Sequence, residues 1–191
     1  MTPLSRPAAL GVFAALLAVM LATRFHHFGT ALNLPDASMA ILFLGGLYLR
    51  RHAMFVAFIA LALAVDWISI DYADVSSFCV TPAYAFLLPA YAVLWYGGRA
   101  YADRLQPTAI AMTLALGVAL ICAAASFAIS NGAFYWLGGR YAHPHVGEYL
   151  SRLRQWGPLF VRTTLCYIAL GLALHSLPAW IARRRTDVRT T

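Results

Sequence analysis

Long apolar runs alternate with short polar breaks along this chain. The runs fall at about 7–25, 36–50, 52–71, 80–98, 108–130 and 156–182. Runs near 20 residues match the thickness of a bilayer, so the pattern predicts six transmembrane helices in one integral membrane domain, 1–191. The second run is short. Pro35 and Asp36 open it and Arg50-Arg51 close it, which leaves about 14 residues, or about 21 Å of helix. The preceding HHFGTALNLP is expected to be irregular backbone that is protein-buried or lines a cavity. In VGEYLSRLRQW, Val146, Tyr149, Leu150 and Leu153 recur at helical spacing and predict a short interfacial helix before the last span. The first run is read as a retained helix, not a cleaved leader.

Composition agrees with that pattern. Of 191 residues, 62% are hydrophobic and 11% charged, with a mean hydropathy of +0.71. These values exclude an ordinary soluble domain. The net charge of +7 reflects orientation better than a nucleic-acid partner. With the N-terminus inside, nine arginines (Arg6, Arg50, Arg51, Arg99, Arg104, Arg183, Arg184, Arg185, Arg189) and two acids (Asp103, Asp187) lie inside. Outside are five arginines (Arg24, Arg140, Arg152, Arg154, Arg162) against five acids (Asp36, Asp66, Asp71, Asp74, Glu148). Both termini are then cytoplasmic, and the long connections 26–35, 72–79 and 131–155 face outward. Trp95, Trp136, Trp156 and Trp180 fall near span ends, where interface anchors are expected.

The outer connections hold the candidate chemistry. Cys122 and Cys166 lie mid-span and read as small buried hydrophobes. Cys79 differs, because it precedes VTPAY, in which Thr81 and Pro82 look like a helix cap and first helical residue. A thiol at a helix N-terminus gains thiolate character. No second cysteine stands near it for disulfide exchange, and the loops lack zinc-ligand spacing. A lone thiolate suits a metal already held by a macrocycle, which needs only axial ligands, or a nucleophile with a distant histidine. His26 and His27 end the first helix, either as interfacial polar residues or as ligand, proton donor or substrate contact. Asp66, near the outer end of the third run, either pairs with Arg24 or Arg162 or contacts a substrate. Tyr84 stands one turn into the fourth helix, and Arg152 and Arg154 flank an apolar stripe that does not choose between them. His143 and His145 read as solvated loop residues, and His175 as a bundle histidine. Ala14, Ala18 and Ala22 form a small-residue face on the first helix. No phosphate-binding Gly-rich loop is present.

The size, the six runs and the stretches FHHFGTALNLPDAS, LAVDW and SSFCVTPAY together resemble the BtuM family. These are small bacterial vitamin B12 transporters related to the substrate-binding S-components of energy-coupling factor (ECF) transporters. The resemblance covers nearly the whole chain. It implies an all-α, six-helix S-component-like bundle in the bacterial cytoplasmic (inner) membrane, with an outward-facing pocket for cobalamin. It implies Cys79 as the axial cobalt ligand and His27, Asp66, Tyr84 and Arg152 as the other site residues, favouring Arg152 over Arg154. Docking of an ECF module would use Ala14, Ala18 and Ala22, although members of this family can act without one. The protein is expected to be a transporter, with ligand exchange at cobalt, such as loss of cyanide, as a side reaction. Two alternatives stay open. One is an exosortase-like membrane cysteine enzyme using Cys79, an arginine and His175. The other is a haem-binding membrane protein with His27 and Cys79 as ligands, which would lack a CxxCH attachment motif.

Overall fold

A computed structural model describes residues 4–24, 34–72, 77 and 80–190, with side chains through 177. The described residues form six α-helices and no strand: α1 (Arg6–Arg24), α2 (Ser38–Tyr48), α3 (His52–Tyr72), α4 (Leu87–Tyr101), α5 (Ala109–Leu137) and α6 (Val146–Thr190). A 3-10 turn, Pro82–Phe86, leads into α4, and another, Ala102–Arg104, follows it. The helices α1, α3, α5 and the Val146–Leu177 part of α6 are long and apolar enough to cross a membrane.

The shortest helix is the centre of the fold. Helix α2 packs against α1, α3, α4 and α6. Its 11 residues rise only about 16 Å, short of the roughly 30 Å hydrocarbon core. Ser38 and every residue from Ala40 to Leu47 are buried. A helix that is apolar on all sides has no face for water, and here neighbours enclose it.

Helix α4 lies closest to α2, and glycine allows it. A Cβ at Gly46 would collide with the carbonyl oxygen of Trp95, and one at Gly98 with the carbonyl oxygen of Phe43. Small residues on both partners let the two backbones nearly touch. Trp95 is consequently a core residue, fully buried, with its ring centroid 5.4 Å from Phe55 and 6.1 Å from Phe58. This corrects its reading as an interface anchor, because α4 turns that face onto α2. Trp136 is exposed at 42%, and the side chain of Trp180 lies outside the described residues.

The outer helices carry the apolar surface. Leu10 on α1, Trp67 on α3, Ile121 on α5 and Leu174 on α6 are all exposed. In water this would be a liability, but against lipid tails it is the expected solvent face. Cys122 is buried, but Cys166 is exposed on that apolar surface, which corrects its reading as a buried residue.

The joint between α5 and α6 differs from the sequence pattern. Helix α5 runs on to Leu137, past the expected end at 130. The expected separate interfacial helix is instead the first turns of α6, which starts at Val146. Polar Ser151, Arg152, Arg154 and Gln155 break the apolar run but not the backbone hydrogen bonding, so hydropathy alone misplaced the joint. Thr81 occupies the N-cap position without a side-chain cap bond, and Pro82 begins a helical turn of 3-10 type before α4 takes over at Leu87.

Candidate functional site

The end of α1, the start of α2, the last turns of α3 and the entry to α4 meet at one end of the bundle. Arg24 is the hub of that meeting. It is only 3% exposed, and its guanidinium grips Asp66 in a two-pronged pair, Nε to Oδ1 at 2.8 Å and Nη2 to Oδ2 at 2.6 Å. Nη1 donates to Ser38 Oγ at 2.8 Å and to the Tyr91 hydroxyl at 2.9 Å, while Nε also donates to the Ala62 carbonyl at 3.2 Å. Asp36 stands 3.6 Å from Nη1. Its Oδ1 accepts the backbone N–H and the hydroxyl of Ser38, which fixes the first turn of α2. The Tyr84 hydroxyl donates to Asp66 Oδ2.

Four helices are thereby tied at one point by charge-assisted bonds, which are the stronger kind in a low-dielectric interior. Of the two arginines weighed as partners for Asp66, Arg24 holds it, and Arg162 is exposed on α6. Both carboxylate oxygens of Asp66 accept bonds, and Oδ2 holds the Tyr84 hydroxyl as well as Arg24. The Tyr84 oxygen, having donated its proton, can still accept a bond.

Arg152 lies in a second cluster at the same end. Its guanidinium carbon lies 4.9 Å from the Tyr141 ring centroid and 5.9 Å from that of Tyr135. Tyr135 is buried and closes the connection between α5 and α6. Its hydroxyl accepts the His145 N–H at 2.9 Å and donates to Glu148 Oε2 at 2.8 Å. The Tyr149 hydroxyl donates to the Ala128 carbonyl at 2.9 Å, locking α6 onto α5. Cation–π contact with two rings holds a guanidinium in place without consuming its N–H groups. Arg154 is exposed, so the structure distinguishes the two arginines that the apolar stripe did not.

Asp66, Tyr84 and Arg152 therefore share one end of the bundle. His27 and Cys79 lie outside the described residues, and Val80 and Thr81, next after Cys79, sit at this same end. Ala14, Ala18 and Ala22 are exposed along α1. His143 and His145 are exposed. His175 packs its ring 5.6 Å from that of Tyr48, at the far end of α2. Arg152 and His175 lie on the same helix, α6, about 35 Å apart along its axis, so His175 cannot share a reacting atom with Arg152. Among the described residues, no group of three or more His, Cys, Asp or Glu could hold a metal ion.

Ser38 and Tyr91 were not singled out from the sequence. Tyr91 follows Tyr84 by seven residues, two helical turns, and that spacing could have placed both phenols on one face. Nothing local marks Ser38 as a partner of Arg24, because the contact crosses a connection. No protein-family model matches this chain, and no curated protein matches it.

Proposed function

We propose that this protein is a six-span uptake transporter of the bacterial cytoplasmic membrane that binds cobalamin at the end of the bundle carrying Arg24, Asp66 and Tyr84. In this reading both termini are cytoplasmic and the site faces outward. The Cys79 thiolate supplies an axial ligand to cobalt, and His27, Tyr84 and Arg152 contact the ligand. Asp66 works through Tyr84, which it holds by a hydrogen bond. The supporting observation is that Tyr84 is hydrogen-bonded to Asp66, and that Arg152 lies at the same end of the bundle in a separate aromatic cluster. Six spans are compatible with the lengths present. The 3-10 turn of 5 residues and α4 of 15 together reach about 32 Å. The short α2 is enclosed by its neighbours and needs no lipid contact of its own. No part of the chain resembles a nucleotide-binding loop, so energy for uptake comes from another source, an ECF module at the Ala14, Ala18, Ala22 face or trapping of the ligand inside.

Cobalt in a corrin has four equatorial nitrogens and leaves only axial positions to a protein, so a single thiolate suffices. Titrating the purified protein with cobalamin should shift its visible absorption bands, and Cys79→Ala should abolish the shift. An identical spectrum for Cys79→Ala and the natural protein would sink the axial-ligand assignment. A Soret band on adding haem, with no response to cobalamin, would favour a haem protein instead.

A further inference from the structure

We infer that Thr81, Asn131 and Arg152 form a polar subsite that reads carboxamide side chains on the rim of the corrin ring. The inference rests on the corrinoid reading above. Three polar atoms at the loop end of the bundle are buried with no hydrogen-bond partner among the described residues: Thr81 Oγ1, Asn131 Oδ1 and Arg152 Nε. They belong to three different elements, the cap of the 3-10 turn, α5 and α6. Helix α5 packs against both of the others.

Their heights in the bundle agree. Asn131 adjoins Gly132, where an added Cβ would meet the Tyr149 hydroxyl at 2.9 Å. Tyr149 is three residues from Arg152, on the same side of α6. Thr81 is one turn from Tyr84, whose N–H bonds the Thr81 carbonyl at 2.8 Å.

An orphaned polar atom in a water-poor interior is costly, so most are paired. Thr81 makes the point most clearly. It occupies an N-cap, where a threonine hydroxyl ordinarily accepts a backbone N–H from the next turn, yet its side chain makes no such bond. Three orphans on packed elements at one end describe a place prepared for a polar occupant. Their chemistry narrows the choice. Asn131 Oδ1 can only accept, Arg152 Nε can only donate, and the Thr81 hydroxyl can do both. A carboxylate would leave Asn131 unsatisfied, and an ammonium would be repelled by Arg152. A primary carboxamide offers N–H donors and a carbonyl acceptor in one neutral group and satisfies all three. Corrins carry such amides around the ring edge.

The test uses the full chain, purified, as the natural protein, Thr81→Val and Asn131→Leu, with cobalamin as the probe. Each substitution should weaken cobalamin binding about tenfold while the visible spectrum of the bound form stays that of the natural protein. Melting temperature without cobalamin should stay level or rise, because each change replaces an unpaired buried polar atom by an apolar one. Binding within about twofold of the natural protein, or a lowered melting temperature without ligand, would overturn the inference and leave the corrinoid reading standing. A natural protein that binds no cobalamin would overturn that reading, and this inference with it.

Discussion

The two ends of the helical bundle each contain an arginine–aspartate pair, and the pairs are built differently. At the end facing the long connections, Arg24 and Asp66 have side chains 3% and 10% exposed and meet through two N–H···O bonds. At the opposite end, Arg50 and Asp103 are 25% and 82% exposed and meet through one, 2.6 Å long. Both pairs link residues distant in sequence, Arg24 to Asp66 across α1 and α3, Arg50 to Asp103 across α2 and the turn after α4. The first is closed in by Ser38, Tyr91 and Tyr84, while the second is open to solvent. Burial decides what each does: a buried pair is hard to remove one partner at a time, and an exposed pair is weak and screened.

The opposite end has further polar contacts of this open kind. Arg99 Nη1 lies 2.8 Å from His52 Nε2, and His52 Nδ1 lies 3.0 Å from the Tyr96 hydroxyl. An arginine can only donate, so Nε2 accepts and Nδ1 carries the proton toward Tyr96. Arg50 also adopts a left-handed backbone, φ 60°, at the tight turn between α2 and α3. That conformation favours glycine, and an arginine there carries a cost of about 1 kcal/mol.

Breaking the buried pair from one side should have the largest effect. Asp66→Leu removes the two-pronged partner of the Arg24 cation, leaving it only Asp36 at 3.6 Å, and should cost about 3–5 kcal/mol, read as a large fall in melting temperature in detergent. The double change Arg24→Met with Asp66→Leu should recover part of that loss, because the buried cation is gone and only Asp36, 20% exposed, loses its charge partner. If the double variant is as unstable as Asp66→Leu alone, the pair is not what holds these helices.

Tyr84→Phe should cost less, about 1.5–3 kcal/mol, the range for a hydrogen bond to a charged group. On the proposed function, the same variant should bind cobalamin less tightly, whereas Tyr96→Phe, at the opposite end, should leave binding unchanged. Equal effects on binding would erase the distinction between the two ends.

The smallest effects belong to the exposed pair. Asp103→Asn should change stability little, because an exposed ion pair is weak and screened by salt. Arg50→Gly should be close to neutral or stabilising, since relief of the left-handed backbone offsets loss of the ion pair. The pH dependence has a definite sign. The hydrogen bond from Arg50, and its charge, hold the Asp103 carboxyl below its ordinary pKa. A depressed carboxyl pKa stabilises the fold above the unfolded-state value and loses that contribution as pH falls through the folded-state value. Melting curves of Asp103→Asn and the natural protein should therefore differ most at neutral pH and converge in acid, and addition of salt should narrow the gap.

Much of this was written in the one-dimensional pattern. Apolar runs announced all six helices, and Pro35-Asp36 and Thr81-Pro82 marked where two helical segments begin, because caps and proline act within a few residues of themselves. The joint between α5 and α6 was not legible, since polar side chains on a helix surface interrupt hydropathy without interrupting the helix. Trp95 could not be assigned to the core from its place near a span end. Its burial depends on Gly45 and Gly46 of another helix.

The candidate site divides in the same way. Asp66 stood out by itself, as a carboxylate in an apolar run must, and its chain position limited the possible partners to Arg24 and Arg162. Choosing between them, recruiting Ser38 and Tyr91, and separating Arg152 from Arg154 required the packed bundle. Membrane character and helix number follow from composition and local periodicity, which each segment carries alone. Pairing of charges and orphaning of polar atoms depend on which surfaces α2 brings together, and that is a property of contacts across the fold.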